Sequence, residues 1–132
     1  MARKTGSLER ALALLGPLEG RIMREVWSGT LPEPFLVRDV LKQMPDLAYT
    51  TVMTTVNRLA EKGLLKARAG KVQRAIPYSS SGDAAAFLAA ASRKQAKDLV
   101  SRYGDAAFAA FAAQLDELTP EQRTRLKTLI EE

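Results

Sequence analysis

The sequence contains no cysteine and no histidine. Their absence excludes a disulfide framework, a thiolate or imidazole metal site, and a Cys or His nucleophile or general base. Hydrolysis has no other foothold, because no paired carboxylates stand at a plausible site and no Gly-rich phosphate loop is present. No catalytic residue, metal or cofactor is therefore expected. Aromatic residues are scarce: four Phe, three Tyr and one Trp in 132 residues. Much of the remaining apolar content is alanine, crowded after residue 83. Ala-rich helices bury little area each, so that half of the chain needs a partner surface to be stable. No apolar run approaches the ~20 residues of a membrane span, so no membrane association is expected. The start, Met1-Ala2-Arg3-Lys4, and the later run Ala11–Leu15 faintly mimic a signal peptide. That run is too short and follows Glu9 and Arg10. A Cys-free chain fits the cytoplasm.

What is present is a globular composition, 27% charged and 46% hydrophobic, with a net charge of +5. The charge is segregated. Residues 1–80 hold 13 Lys/Arg against 7 Asp/Glu, whereas residues 81–132 hold 7 against 8. A basic first half beside a neutral second half implies a polyanion partner for one and a different task for the other.

Punctuation and periodicity give the organisation. Residues 1–16 read as a loose or partly helical leader ending at Gly16-Pro17, where Pro17 suits a first helical turn. Leu18, Ile22, Met23 and Val26-Trp27 repeat with helical spacing up to Ser28-Gly29. Two prolines, Pro32 and Pro34, keep the next stretch out of a helix. Phe35-Leu36-Val37 suits a short strand. Val37, Val40, Leu41 and Met44 mark a short helix that ends at Pro45-Asp46. A helix over 49–62 follows, closed by Gly63. Leu64–Arg68 and Gln73–Tyr78 then read as hairpin arms around Gly70, with Pro77 confining the second arm to an edge. Ser79-Ser80-Ser81-Gly82 separates the halves. Beyond it, Asp83 can cap a helix running to Tyr103. Another helix covers about 106–117, and Thr119-Pro120-Glu121-Gln122 starts a third. The expectation is a mostly α chain with a small β-hairpin: a winged helix-turn-helix domain over 1–80, then a helical dimerisation domain over 81–132. The expected dimerisation residues are Phe87, Leu88, Leu99, Val100, Phe108, Phe111, Leu115, Leu126, Leu129 and Ile130. Folding back on the first domain is the alternative use of those faces.

The helix starting at Tyr49 carries the most chemistry. At about 100° per residue, Tyr49, Val52, Val56, Leu59 and Ala60 share one side, with Met53 at its margin. Thr51, Thr54 and Arg58 fall opposite, flanked by Thr50, Glu61 and Lys62. β-Branched threonines lose rotamer freedom in a helix, and a plain solvated face would use Glu, Lys, Gln or Ala. Short hydroxyls and one guanidinium suit a DNA major groove, where Thr meets base edges and Arg forks onto guanine. An ordinary amphipathic helix rich in Thr is the competing reading. The expected DNA-binding set is Thr50, Thr51, Met53, Thr54 and Arg58, with Lys62 at the helix end and Arg68, Lys71 and Arg74 on the wing. Met53 could touch a thymine methyl, although a Met at that margin is more often core, and Trp27 and Leu59 read as core. A winged-helix protein–protein module would show an apolar face on this helix. A non-specific architectural DNA binder would show more Lys.

These residues resemble the penicillinase-repressor family of bacterial transcriptional regulators, the BlaI/MecI/CopY group. The likeness is carried by Leu15-Gly16-Pro17-Leu18-Glu19, Ile22-Met23, Val26-Trp27 and the run Leu47-Ala48-Tyr49-Thr50-Thr51-Val52-Met53-Thr54. Arg58-Leu59, Glu61-Lys62-Gly63-Leu64, Arg74-Ala75 and Tyr78 add to it. It is close over about 15–78, and rests on helix count and spacing over 83–131. The resemblance implies a homodimer in which each winged domain reads half of an inverted-repeat operator of the TACA/TGTA kind. It also marks two departures. Copper-type members bind metal through a cysteine motif, which this chain lacks. Penicillinase-type members are cut at an Asn-Phe pair in the middle dimerisation helix, where this chain reads Ala106-Ala107-Phe108-Ala109-Ala110-Phe111.

Overall fold

The computed structural model describes residues 2–71 and 74–131, with side chains from residue 6. Gln73, expected in the second hairpin arm, lies outside them. The chain divides into two compact units, residues 1–90 and 91–132.

The first unit contains α1 (Ala2–Ala13), α2 (Pro17–Ser28), α3 (Val37–Gln43), α4 (Tyr49–Glu61), β1 (Leu65–Ala67) and β2 (Tyr78–Ser80). It also contains the start of α5 (Ala84–Tyr103). Its core is Ile22 and Met23 of α2, Phe35, Val40 of α3, Val52, Val56 and Leu59 of α4, and Leu65 and Tyr78 of the hairpin. Each such side chain contributes about 1.5–3 kcal/mol by burial, which makes this cluster the main source of stability here.

The leader is more regular than the sequence suggests, because α1 spans nearly all of it. Ala11 is buried, and Leu12 and Leu15 pack on the core. Arg24 of α2 holds the Glu9 carboxylate with two hydrogen bonds, 2.9 and 3.1 Å. α2 begins at Pro17 and ends at Gly29, whose φ of +78° lets the Thr30 N–H return to the Glu25 carbonyl at 3.1 Å.

Phe35-Leu36-Val37 does not form a strand. Phe35 alone pairs, exchanging two backbone hydrogen bonds with Tyr78 at 2.9 and 2.8 Å. Leu36 is already the N-cap of α3, its N–H donating to Asp39 Oδ2 at 2.8 Å, and Val37 is helical. The acid at the third helical position outweighs the β-branched pattern.

β1 and β2 are antiparallel, with Leu65 opposite Ser80, Lys66 opposite Ser79 and Ala67 opposite Tyr78. The ladder thus lies two residues beyond the expected second arm, and Ser79-Ser80 belong to the strand rather than to a linker. Burial of the Tyr78 ring and its pairing with Phe35 fix this register. The hairpin tip carries Gly70 at φ +83° and Arg74 at φ +69°.

The second unit contains the rest of α5, α6 (Asp105–Asp116) and α7 (Pro120–Glu131). The expected helix starts are present. Asp83 Oδ1 accepts the Ala86 N–H at 2.8 Å. Thr119 and Gln122 exchange the two bonds of a capping box, 2.9 and 3.2 Å. Among the described residues past 90, Ala107 alone is buried.

Candidate nucleic-acid interface

α4 packs against α2, α3 and β1, so one side of it is fixed in the core. Val52, Val56 and Leu59 are fully buried there. Thr55 is buried too, its hydroxyl donating to the Thr51 carbonyl at 2.8 Å, which satisfies it without a core partner. The other side is open. Thr50, Thr54 and Arg58 are exposed, and Thr51 and Met53 are half-buried, with Met53 packed against the core. Thr54 and Arg58 form no hydrogen bond to other side chains among the described residues. Two hydroxyls and a guanidinium therefore stand unspent on a helix whose back is rigidly seated.

Tyr49 is a correction. Helical spacing puts it beside Val56, yet it is 58% exposed. It is the first residue of α4, and burial on that side begins only at Val52. The N-cap before it, Ala48, offers no side-chain bond.

The hairpin, whose β1 packs against α4, supplies further cations. Arg68, Lys71 and Arg74 are exposed. So is Lys66, which the sequence reading left out. The alternation of buried Leu65 with exposed Lys66 on β1 is the signal that finds it.

Lys62 is placed differently from the other cations. Its ammonium donates to both oxygens of Glu19, at 3.0 and 2.9 Å. That bond is the main reason the Glu19 carboxyl lies below its usual range. Burial opposes the shift; the Gly16 N–H and the charges of Lys62 and Arg58 reinforce it. At the other end of α4, Arg21 grips Asp46 through two bonds, 3.0 and 3.1 Å, and lowers its carboxyl pKa.

The expected dimerisation residues fall into two groups. Leu99, Phe108, Phe111, Leu115, Leu129 and Ile130 are exposed, and Leu88, Val100 and Leu126 half-buried. Phe87 instead has a place within the first unit, its ring 5.6 Å from that of Trp27. Trp27 also donates from Nε1 to the Gly82 carbonyl at 3.0 Å. Among the described residues, no group of three or more acidic side chains could hold a metal, and no helix is long and apolar enough to cross a membrane.

The model of a family described as penicillinase repressor matches residues 15–132. Proteins from two strains of Mycobacterium tuberculosis, each described as transcriptional regulator BlaI, are 40% identical over 93 residues, covering 69% of this chain and 67% of theirs. Two solved structures are similar at low identity. A MarR family regulator from Neisseria meningitidis shares 17% identity with a TM-score of 0.45, over 89% of this chain and 80% of that one. MepR, a transcription regulator of the Staphylococcus aureus multidrug efflux pump MepA, shares 11% with a TM-score of 0.47, over 96% and 87%.

Proposed function

We propose a DNA-reading mechanism from one premise: the chain belongs to the penicillinase repressor family and is a transcriptional regulator, not an enzyme. In this reading it acts as a homodimer on an inverted-repeat operator, each copy laying α4 in the major groove of one half-site. Occupation of a promoter by the dimer then represses transcription.

The observation that carries this is the uneven finish of α4. Its inner side is sealed by Val52, Val56 and Leu59, while Thr50, Thr54 and Arg58 are exposed, as are Lys66, Arg68, Lys71 and Arg74 of the hairpin whose β1 packs against α4. Arg58 suits a bidentate contact to guanine; Thr50, Thr51 and Thr54 suit base edges, thymine methyls and nearby phosphates. The hairpin cations suit phosphates, where each contact releases counterions and makes binding salt-dependent. The exposed apolar side chains of α6 and α7 supply the self-association that a two-half-site operator requires.

Footprinting on the DNA upstream of its own coding sequence tests the proposal. A protected inverted repeat, with equal affinity lost when either half is scrambled, is the expected result. Equal protection of random DNA would make the chain an architectural binder instead. No protection at any protein concentration would leave a winged-helix module for protein contacts.

A further inference from the structure

At the end of α4 the Lys62 ammonium is engaged inside the first unit. It follows Glu61, the last helical residue of α4, and precedes Gly63 at φ +84° and buried Leu64, which leads into β1. Lys62 therefore occupies the joint between recognition helix and wing. Its partner Glu19 comes from the first turn of α2, with a side chain only 11% exposed against 56% for Lys62. Besides the two Lys62 bonds, Glu19 Oε1 accepts the Gly16 N–H at 3.4 Å. If the ammonium swung out to a phosphate, this enclosed carboxylate would lose its one side-chain donor among the described residues. A second tie stands at the opposite end of α4, where Arg21, also of α2, forks onto Asp46. Residues two apart on a helix point in different directions, so Glu19 and Arg21 can reach separate parts of the structure. Both ties suit the α4 dipole, with an acid before its N-terminus and a base at its C-terminus.

We propose that Glu19 is a positioning residue for DNA reading: it holds Lys62, and through it the α4–wing joint, so that Lys62 serves Glu19 rather than a DNA phosphate. The inference rests on the DNA-binding reading above. It assigns two cations of the expected DNA-binding set opposite duties, since Lys71 neutralises phosphate and Lys62 does not.

The test uses the full chain, the duplex protected in footprinting and a random duplex of the same length, across a salt series. Lys62→Met should lose about tenfold in preference for the protected duplex while its slope of log affinity against log salt stays at the wild-type value. Lys71→Ala should make that slope shallower by about 0.9. Glu19→Gln should lose as much preference as Lys62→Met, and the double variant no more than either, because both changes cut the same tie. Lys62→Arg, which can keep the pair, should restore most of the preference. A slope shallower by about 0.9 in Lys62→Met, or losses that multiply in the double variant, overturns the proposal and makes Lys62 a phosphate contact. A wild-type chain with no preference between the duplexes fails earlier, and overturns the DNA reading itself. Circular dichroism of each variant separates a lost tie from a lost fold.

Discussion

Residues 1–90 and residues 91–132 are both mainly helical and have opposite interiors. The first unit closes a core around Phe35, Ile22, Met23 and the inner side of α4. The second has three helical segments, one buried alanine, and Phe108, Phe111, Leu115, Leu129 and Ile130 in the open. A helix can therefore be well capped and still unfinished. Alanine favours α6 and a capping box secures the start of α7, but local propensity alone does not stabilise isolated helices of this length. The first unit closes a core of its own, whereas most of the apolar side chains of α6 and α7 stay uncovered.

The sharpest way to break this contrast is to divide the chain. Residues 1–90 alone should stay folded and sediment as a monomer, with operator affinity lower by about 10²–10⁴-fold through loss of the second half-site. A dimer of residues 1–90 would place the association surface elsewhere. Single substitutions apply the same logic at smaller scale. Phe35→Ala should lower unfolding free energy by about 3–5 kcal/mol. Phe108→Ala should leave the first unit's unfolding unchanged and weaken dimerisation instead, measured by sedimentation equilibrium. If Phe108→Ala lowers the first unit's stability, the units are not independent. Next in size, Arg58→Ala should weaken specific DNA binding by about 1–3 kcal/mol, with a smaller loss on random DNA. Equal losses would reduce Arg58 to a backbone contact.

The smallest expected effect is a pH dependence. The bond from Lys62 holds the Glu19 carboxyl below its ordinary range, so the pair contributes fully above that range. Its contribution disappears as pH falls through the lowered value. With Lys62 half in water, the loss should be less than about 1 kcal/mol. Glu19→Gln should remove that part of the acid-side decline in denaturation midpoints. An unchanged decline would mean that other carboxylates, such as Glu9 and Asp46, account for it.

The sequence was most readable where a local signal decides the structure. Thr119 and Gln122 announce α7, and the spacing of Val52, Val56 and Leu59 announces the inner side of α4. It was least readable where another segment decides. Periodicity says that Tyr49 and Phe87 lie on apolar sides, but not what covers those sides. Tyr49 stays exposed, and Trp27 lies against Phe87. The strand position of Ser79 and Ser80 depends on the distant Phe35. A basic residue at the end of α4 gives no hint of its partner: the sequence does not distinguish Lys62 from Lys71, and the structure sets Glu19 against Lys62.

Trp27 is the one tryptophan of the chain, and its indole N–H is bound to the Gly82 carbonyl, immediately ahead of α5. The Phe87 ring, from the first turn of α5, lies against it. Indole fluorescence responds to hydration and to the loss of such a bond. The protein therefore carries an intrinsic optical gauge at the root of α5. A red-shifted emission would report that root pulling away from α2, with no label attached and no second tryptophan to blur the signal.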